Sequence, residues 1–121
     1  MAWQFAADRP IYSQLIELMS LFIINGSYPA GSRLPSVRDL AAQAKVNPNT
    51  MQRALAELEI MGLVYTERTS GRFVTEDDQM IQTIKDELAR KRVERFIVDM
   101  ESLGIDRRQA VALVESGKEW R

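Results

Sequence analysis

Two strong helix-start signals lie close together near the middle of the chain. Ser36 is a favourable N-cap, and Asp39 after it completes a weaker form of the capping box. Asn47 is a second favourable N-cap, and Pro48 suits the first position of a helix. Only residues 45 and 46 separate the first helix from the second cap. This stretch therefore predicts a helix, a tight turn and another helix, which is the layout of a helix-turn-helix.

The helix that begins after Asn47 has an apolar and a polar face. At about 100° per residue, one side collects Met51, Ala54, Leu55 and Leu58. The opposite side collects Asn49, Arg53 and Ala56, flanked by Gln52 and Glu57. The polar residues at the start of this helix are consistent with an end that faces only solvent. They are equally consistent with a surface that a ligand approaches closely, because a small residue follows the polar first turn.

Two further patterns place these helices in a larger domain. Residues 10–24 carry a wide apolar helical stripe, and Pro10 is expected at its first helical position. Residues 63–75 alternate in character around a turn at residues 69–71, which predicts a β-hairpin. Three helices closed by a hairpin predict a winged helix-turn-helix, a mainly α fold with a small β-hairpin wing. In such folds the third helix enters the major groove of DNA.

The amino-acid composition excludes most kinds of catalytic site. The 121 residues include no cysteine and no histidine, so we expect no disulfide, metal site, cofactor or imidazole catalysis. A hydrolase built on carboxylates or on Ser70 would lack a base, so we expect no enzyme activity. The longest apolar run, residues 18–24, is far shorter than the roughly 20 residues that cross a bilayer. Residues 1–10 do not resemble a signal peptide, and we expect a cytoplasmic protein with no membrane partner.

Charge does not identify the partner by itself. The net charge is −1, and residues 1–76 carry as many basic as acidic side chains. A chain that binds nucleic acid with this balance must gather its positive charge on one face. The basic residues expected on that face are Arg38, Lys45, Arg53, Arg68 and Arg72.

The last third of the chain predicts two helices that cannot bury their apolar surface alone. Residues 77–101 form a long helical pattern with two apolar stripes, rotated by roughly a quarter turn from each other. We expect the first stripe to pack on the three-helix domain and the second to face another chain. Asp106 and Gln109 predict a capped short helix. The expected dimer-interface residues are Val93, Phe96, Ile97, Met100, Val111 and Val114.

This pattern divides the chain into two functional segments. We expect residues 1–76 to form the winged helix-turn-helix and residues 77–121 to form a helical dimerisation segment. The basic run from Arg90 to Arg95 lies among acidic residues, and we expect a solvated or ion-paired surface there rather than a second nucleic-acid site.

Several motifs resemble those of the GntR-type bacterial transcription regulators. GSRLPSVRDLA at residues 31–41 is similar to that family's signature. PIYSQ at residues 10–14 and VNPNTMQRALAEL at residues 46–58 resemble more specifically its short YtrA-type branch. The chain departs from the branch at the wing tip, where Thr69 and Ser70 replace a frequent glycine, and at Leu55, where an aromatic residue is frequent. We expect the change at Leu55 to repack the core only.

The resemblance implies that three elements contact DNA. Arg38 matches an arginine at the start of the second helix, Asn49, Thr50 and Arg53 lie at the reading end of the third, and Gly71 matches the wing glycine. The residues expected to contact DNA are Arg38, Asn47, Asn49, Thr50, Gln52, Arg53, Arg68, Ser70, Gly71 and Arg72. Structural roles remain open for some of them. Asn47 is equally a helix cap, and Arg68 equally an ion-pair partner of a nearby glutamate.

The resemblance also implies a biological role. It implies a homodimeric, sequence-specific regulator that acts as a repressor on a pseudo-palindromic DNA operator, with its own operon and transporter genes among its targets. Whether a small-molecule effector exists is left open. The alternative is a winged-helix module that docks a protein instead of DNA. The even charge balance favours that alternative, and the polar set Asn49, Gln52 and Arg53 opposes it.

Overall fold

The computed structural model of the protein describes residues 1–117, which form helices and one antiparallel hairpin. The helices are α1 (Ile11–Ile24), α2 (Val37–Ala44), α3 (Pro48–Ile60), α4 (Asp78–Ser102) and α5 (Arg107–Ser116). The strands are β1 (Val64–Glu67) and β2 (Gly71–Val74), paired so that Val64 faces Val74 and Glu67 faces Gly71. The predicted class, mainly α with a β-hairpin wing, is confirmed.

Helix caps lie where the sequence predicts them. The Ser36 hydroxyl accepts a hydrogen bond from the Asp39 N–H at 3.1 Å, and the Asn47 side chain accepts one from the Asn49 N–H at 2.7 Å. Asp106 and Gln109 form the complete reciprocal capping box. The prediction for Pro10 is wrong by one position. It is the N-cap of α1 rather than its first helical residue, because its ψ of 136° is extended and not helical.

The turn between α2 and α3 is tight because one residue adopts a left-handed conformation. Lys45 has a φ of 58°, and its N–H donates to the Ala42 carbonyl at 3.3 Å. The next N–H, of Val46, donates to the Ala41 carbonyl at 3.0 Å, so the last turn of α2 keeps its hydrogen bonds. Asn47 then caps α3 directly, which fixes the direction of that helix relative to α2.

The core of the first domain lies between α1, α2, α3 and the hairpin. Its fully buried side chains include Leu15, Met19, Leu40, Met51, Leu55, Leu58, Leu63 and Val74. The buried positions of α3 are those that the helical period predicts, and Leu55 is a core residue as expected. From α4, Ile81 and Ile84 pack against the same core, as predicted for its first stripe.

The N-terminal segment is tied to α1 by a buried glutamine. The Gln14 side chain accepts a hydrogen bond from the Ala6 N–H at 2.6 Å and donates to the carbonyls of Ala6 and Arg9, both at 2.9 Å. Trp3 packs edge-on against Phe22, with ring centroids 5.0 Å apart. We call these hydrogen bonds the Gln14 clasp. The sequence does not reveal the Gln14 clasp. Gln14 lies in a largely apolar stretch, and its partners are backbone groups, which leave no residue pattern.

Replacing Gln14 by alanine is expected to lower the free energy of unfolding by about 1–3 kcal/mol, because it removes the four hydrogen bonds of this side chain and leaves partly buried backbone groups unpaired. Urea unfolding followed by circular dichroism measures the change. Gln43→Ala is the matched control, since Gln43 is exposed on α2 and its loss should change stability by less than about 0.5 kcal/mol. Equal stability of the two variants would contradict a structural role for the clasp.

The link between α1 and α2 runs along the hairpin as an additional short strand. The Val74 N–H donates to the Ser32 carbonyl at 2.8 Å, and the Leu34 N–H donates to the Arg72 carbonyl at 2.9 Å. Arg33 and Phe73 form an antiparallel bridge between them. Upstream in the link, Tyr28 packs edge-on against Phe22, and burial raises the pKa of the Tyr28 phenol. The wing is therefore held from its β2 side by the link.

The chain forms two compact units. The first covers Met1–Ile84, and the second begins at Lys85, within α4. The functional division between residues 1–76 and 77–121 stays a prediction, and residues 118–121 of the expected dimerisation segment lie outside the described residues. No helix within residues 1–117 combines the length and the apolar character needed to cross a membrane.

Candidate nucleic-acid interface

The outward side of α3 carries the polar side chains that the sequence predicts as readers of DNA. Asn49, Gln52 and Arg53 are exposed, and Thr50 beside them is half-buried. Ala56 is exposed one turn further along the same side. Because Ala56 is small, the position one turn beyond carries no bulky side chain, and a surface can approach the start of α3 closely.

Ile60 ends α3 on this outward side. It is 79% exposed, so it does not pack under the wing within one chain. Its position agrees with the outward placement that the helical period predicts. A large apolar side chain this exposed lies two turns beyond the polar first turn and is separate from it.

The guanidinium of Arg53 stacks on an aromatic ring of α1. Its central carbon lies 4.5 Å from the centroid of the Tyr12 ring. A cation–π contact at an exposed site contributes about 0.5–1 kcal/mol, and it restricts the many rotamers of a free arginine. Tyr12 belongs to the stretch of α1 that the sequence predicts as an apolar stripe, and the sequence does not indicate this contact. The contact joins residues far apart in sequence, and no local pattern marks it.

Asn47 combines a structural role with a free donor. Its side-chain oxygen accepts from the Asn49 N–H, so it is a helix cap. Its side-chain NH₂ group makes no hydrogen bond within residues 1–117 and stays available to an external acceptor. The two roles left open for Asn47 are therefore compatible.

Arg38 lies at the second position of α2. The side chain is exposed and forms no ion pair or hydrogen bond with the described residues, Asp39 included. A cation at a helix start is electrostatically unfavourable, because this end of the helix carries partial positive charge. The helix start and Arg38 therefore present positive potential to the same solvent region.

The wing presents its turn, residues 68–70, to solvent. Behind the turn, Tyr65 and Phe73 stack with ring centroids 5.6 Å apart and stiffen the hairpin. Arg68 and Ser70 are exposed, and Arg68 pairs with neither Glu67 nor another acid among residues 1–117. The ion-pair alternative for Arg68 therefore has no support in the structure.

Gly71 begins β2 with a φ of 110°, a conformation that side chains with a Cβ rarely adopt. A Cβ here would also lie 3.3 Å from Nε of Arg33. Glycine is thus favoured at this position by the backbone, and the Arg33 side chain of the link lies close to it. Arg33 is a residue near the wing that the sequence analysis missed, because the strand pairing of the link brings it there.

One acidic residue near the interface, Glu59, already accepts a hydrogen bond within the domain. The Thr66 hydroxyl on β1 donates to the carboxylate of Glu59 on α3, which ties the wing to the third helix. The expected basic residues Arg38, Lys45, Arg53 and Arg68 are all exposed, and Arg72 is half-buried. A domain with an even charge balance thus keeps its arginines at α2, α3 and the wing free of ion pairs with the described residues.

The second unit exposes the apolar residues that the sequence predicts for a dimer interface. Val93, Val111 and Val114 are 59%, 48% and 62% exposed, and Phe96, Ile97 and Met100 are half-buried. Val93, Ile97 and Val111 line one groove of this unit. Their role in a dimer stays a prediction. The basic run beside them includes an ion pair, Arg95 to Asp99 at 3.2 Å, as expected for a solvated surface.

Other apolar residues of this unit are also exposed. They are Val98, Leu103 and Leu113. Ala110 is fully buried and is the contact of α5 within its own unit. From the sequence, Ala110, Val111 and Val114 are expected to share the apolar face of this short helix. In the structure Ala110 is buried, whereas Val111 and Val114 are exposed.

Comparison with known proteins identifies the domain. The model of the gntR family of bacterial regulatory proteins matches residues 11–74. YtrA, an HTH-type transcriptional repressor of Bacillus subtilis (strain 168), is 33% identical over 83% of this chain and 78% of its own. A GntR family transcriptional regulator from Listeria monocytogenes is 40% identical, with a TM-score of 0.86 over 93% of this chain and 98% of that chain.

A structure solved with DNA is also similar. AraR(DBD), in complex with operator ORX1, is 27% identical, with a TM-score of 0.54 over 60% of this chain and 93% of that chain. The predicted resemblance to GntR-type regulators of the YtrA-type branch is confirmed, and so is the expectation of a regulator rather than an enzyme. The chain is a DNA-binding transcriptional regulator that belongs to the GntR family of bacterial regulatory proteins.

Proposed function

We propose that the protein binds a pseudo-palindromic operator as a homodimer and represses transcription from it. The single observation that carries this proposal is the first turn of α3, where Asn49, Gln52 and Arg53 are exposed together beside a small residue. Asparagine and glutamine can bond two edges of adenine, and arginine can bond two edges of guanine. The first turn of α3 therefore enters the major groove and reads the bases.

Residues around α3 hold the DNA backbone. Arg38 and the NH₂ group of Asn47 contact phosphates on either side of the groove, and Thr50 supports this end of α3. At the wing, Arg68 and Arg72 neutralise the adjacent backbone, while Ser70 and Gly71 lie closest to the minor groove. Backbone contacts fix the register of the protein on DNA, and α3 supplies the sequence preference.

The apolar surface of the second unit makes the dimer. Val93, Val111 and Val114 are exposed in one chain, and a second copy covers them together with Phe96, Ile97 and Met100. A two-fold axis presents two copies of α3 to half-sites that lie one or two helical turns apart. This arrangement requires a pseudo-palindromic operator.

The direction of regulation and the targets follow from similarity. YtrA is named a repressor, and we propose repression for this chain as well. Its own operon and transporter genes are the proposed targets, as the YtrA-type branch implies. A regulator of chromosomal genes works in the bacterial cytoplasm, which is the proposed location. Family membership disfavours a module that docks a protein instead of DNA.

Footprinting of the protein on its own upstream DNA tests the proposal. We expect protection of a pseudo-palindrome, and Arg38→Ala is expected to weaken the protection by about 1.5–3 kcal/mol per half-site, because a charge-assisted phosphate contact is lost. Arg90→Ala is the matched control, since Arg90 is exposed in the second unit and should leave binding unchanged. The absence of any protected palindrome, or equal binding by both variants, would refute the proposal.

A further inference from the structure

Three arginines meet around a groove between the link and the wing. The groove has a volume of about 320 Å³, enough for a phosphate group and its hydrating water. We call it the link–wing groove, and its lining residues include Arg33, Ser36, Glu67, Arg68 and Arg72. Glu67 is the acidic residue of the lining, so the groove carries a clear excess of positive charge.

The arginines of the groove lack partners within the described chain. Arg33 and Arg68 make no ion pair or hydrogen bond with residues 1–117, and Nε of Arg72 is buried without an acceptor. This buried donor is therefore not satisfied by any described residue. Glu67 lies in the same lining and still forms no ion pair with Arg33, Arg68 or Arg72.

The backbone of Arg33 is held beside the wing by the fold. Its backbone is bridged to Phe73, and Nε lies against Gly71, where a Cβ would come within 3.3 Å. The neighbouring residue Val37 lines the groove and begins α2, whose first-turn N–H groups favour anions. The groove thus places the guanidinium groups of three arginines beside the Ser36-capped start of α2.

We propose that the link–wing groove binds one phosphate group, with Arg33 as a ligand beside Arg68 and Arg72. A phosphodiester of the operator and a free phosphate anion share this chemistry. The groove lies between α2 and the wing, so the inference that the phosphate belongs to DNA rests on the proposed function. In that case the link, and not the wing tip alone, holds the DNA backbone.

The salt dependence of operator binding is the first test. In the full-length protein, Arg33→Ala removes one phosphate contact from each half-site. The slope of log K against log salt should fall by about 0.9 per contact, and affinity for operator and unrelated DNA should fall by a similar factor. Arg33→Lys should keep most of the slope, because it keeps the charge. Arg90→Ala is the control for loss of a charge outside the groove. Arg33 is exposed, and circular dichroism verifies that the variants fold.

Titration with sodium phosphate is the second test, against sodium chloride at equal ionic strength. The Nε–H signals of Arg33 and Arg72 in ¹⁵N-correlated spectra should shift with phosphate in the wild-type protein if the groove accepts a free anion. A reduced salt slope without such shifts supports a DNA phosphate as the ligand, and shifts that vanish in Arg33→Ala support a free one. An unchanged slope together with no shift overturns the proposal. If the wild-type protein binds no DNA, the proposed function is wrong. The phosphate titration alone then tests whether the link–wing groove binds a phosphate group.

Discussion

Arg53→Ala is expected to reduce strongly the preference for the operator over unrelated DNA. A bidentate contact from arginine to guanine contributes about 1–3 kcal/mol, and a dimer makes two of them. The expected loss of about 2–6 kcal/mol corresponds to a fall in operator affinity between about 30-fold and about 10⁴-fold. Fluorescence anisotropy with operator and scrambled duplexes, at one salt concentration, measures both affinities.

Arg53→Lys is the matched variant for this experiment. It keeps the positive charge and loses the planar fork, so it should retain binding to scrambled DNA and lose most of the discrimination. Replacing the operator guanines one at a time should weaken binding of the wild-type protein at one position per half-site. It should weaken binding of the variant at no position. If Arg53→Ala bound the operator as tightly as wild type, Arg53 would be a purely structural residue.

The contact with Tyr12 determines how much of the discrimination by Arg53 comes from the orientation of its guanidinium group. The ring lies 4.5 Å from the guanidinium carbon and limits where the fork can point. Tyr12→Leu should therefore lower discrimination between bases by up to about fivefold per half-site, the value of an exposed cation–π contact, while Tyr12→Phe restores it. In an Arg53→Ala background, Tyr12→Leu should have no further effect. An equal loss in both backgrounds would mean that Tyr12 acts on DNA or on folding by itself.

Val93→Asp is expected to convert the dimer to a monomer and to weaken operator binding by roughly 10²- to 10⁴-fold. The substitution places two carboxylates in an apolar interface, and a monomer loses the gain in effective concentration that a second half-site provides. Val93 is 59% exposed in one chain, so the variant should fold normally. Sedimentation velocity distinguishes the chain mass of 13.8 kDa from twice that mass.

Gln79→Asp is the control for the dimer experiment. It adds the same charge to an exposed position of α4, in the first turn, where an acid is favourable and the predicted interface is absent. It should remain dimeric and bind the operator as wild type does. A wild-type protein that sediments as a monomer, or a Val93→Asp variant that stays dimeric, would refute the predicted interface.

Local sequence signals predicted the parts of the fold that local physics controls. Asn47 and Pro48 define the start of α3 within one turn of backbone, and the helical period then settles which of its side chains face solvent. Asp106 and Gln109 define α5 in the same way. Because these signals act over a few residues, they can be recognised without knowledge of the rest of the chain.

The contacts that sequence analysis missed join residues far apart in the chain. The Gln14 clasp, the pairing of Arg33 with Phe73 and the stack of Arg53 on Tyr12 each connect a patterned residue to an element whose position is set by the whole core. The dimer interface remains a prediction for a related reason. A helical stripe shows that one face of a helix is apolar. It does not show which molecule covers that face.

The left-handed residue in the helix-turn-helix turn implies a compromise between folding and binding. Glycine adopts a φ near 58° without strain, whereas a residue with a Cβ costs roughly 1–2 kcal/mol there. The chain nevertheless has lysine at position 45, exposed between the two helices proposed to face DNA. Selection for stability alone would favour glycine. Lys45→Gly would relieve this strain, and it would also remove an ammonium group that the proposed function places near a polyanion.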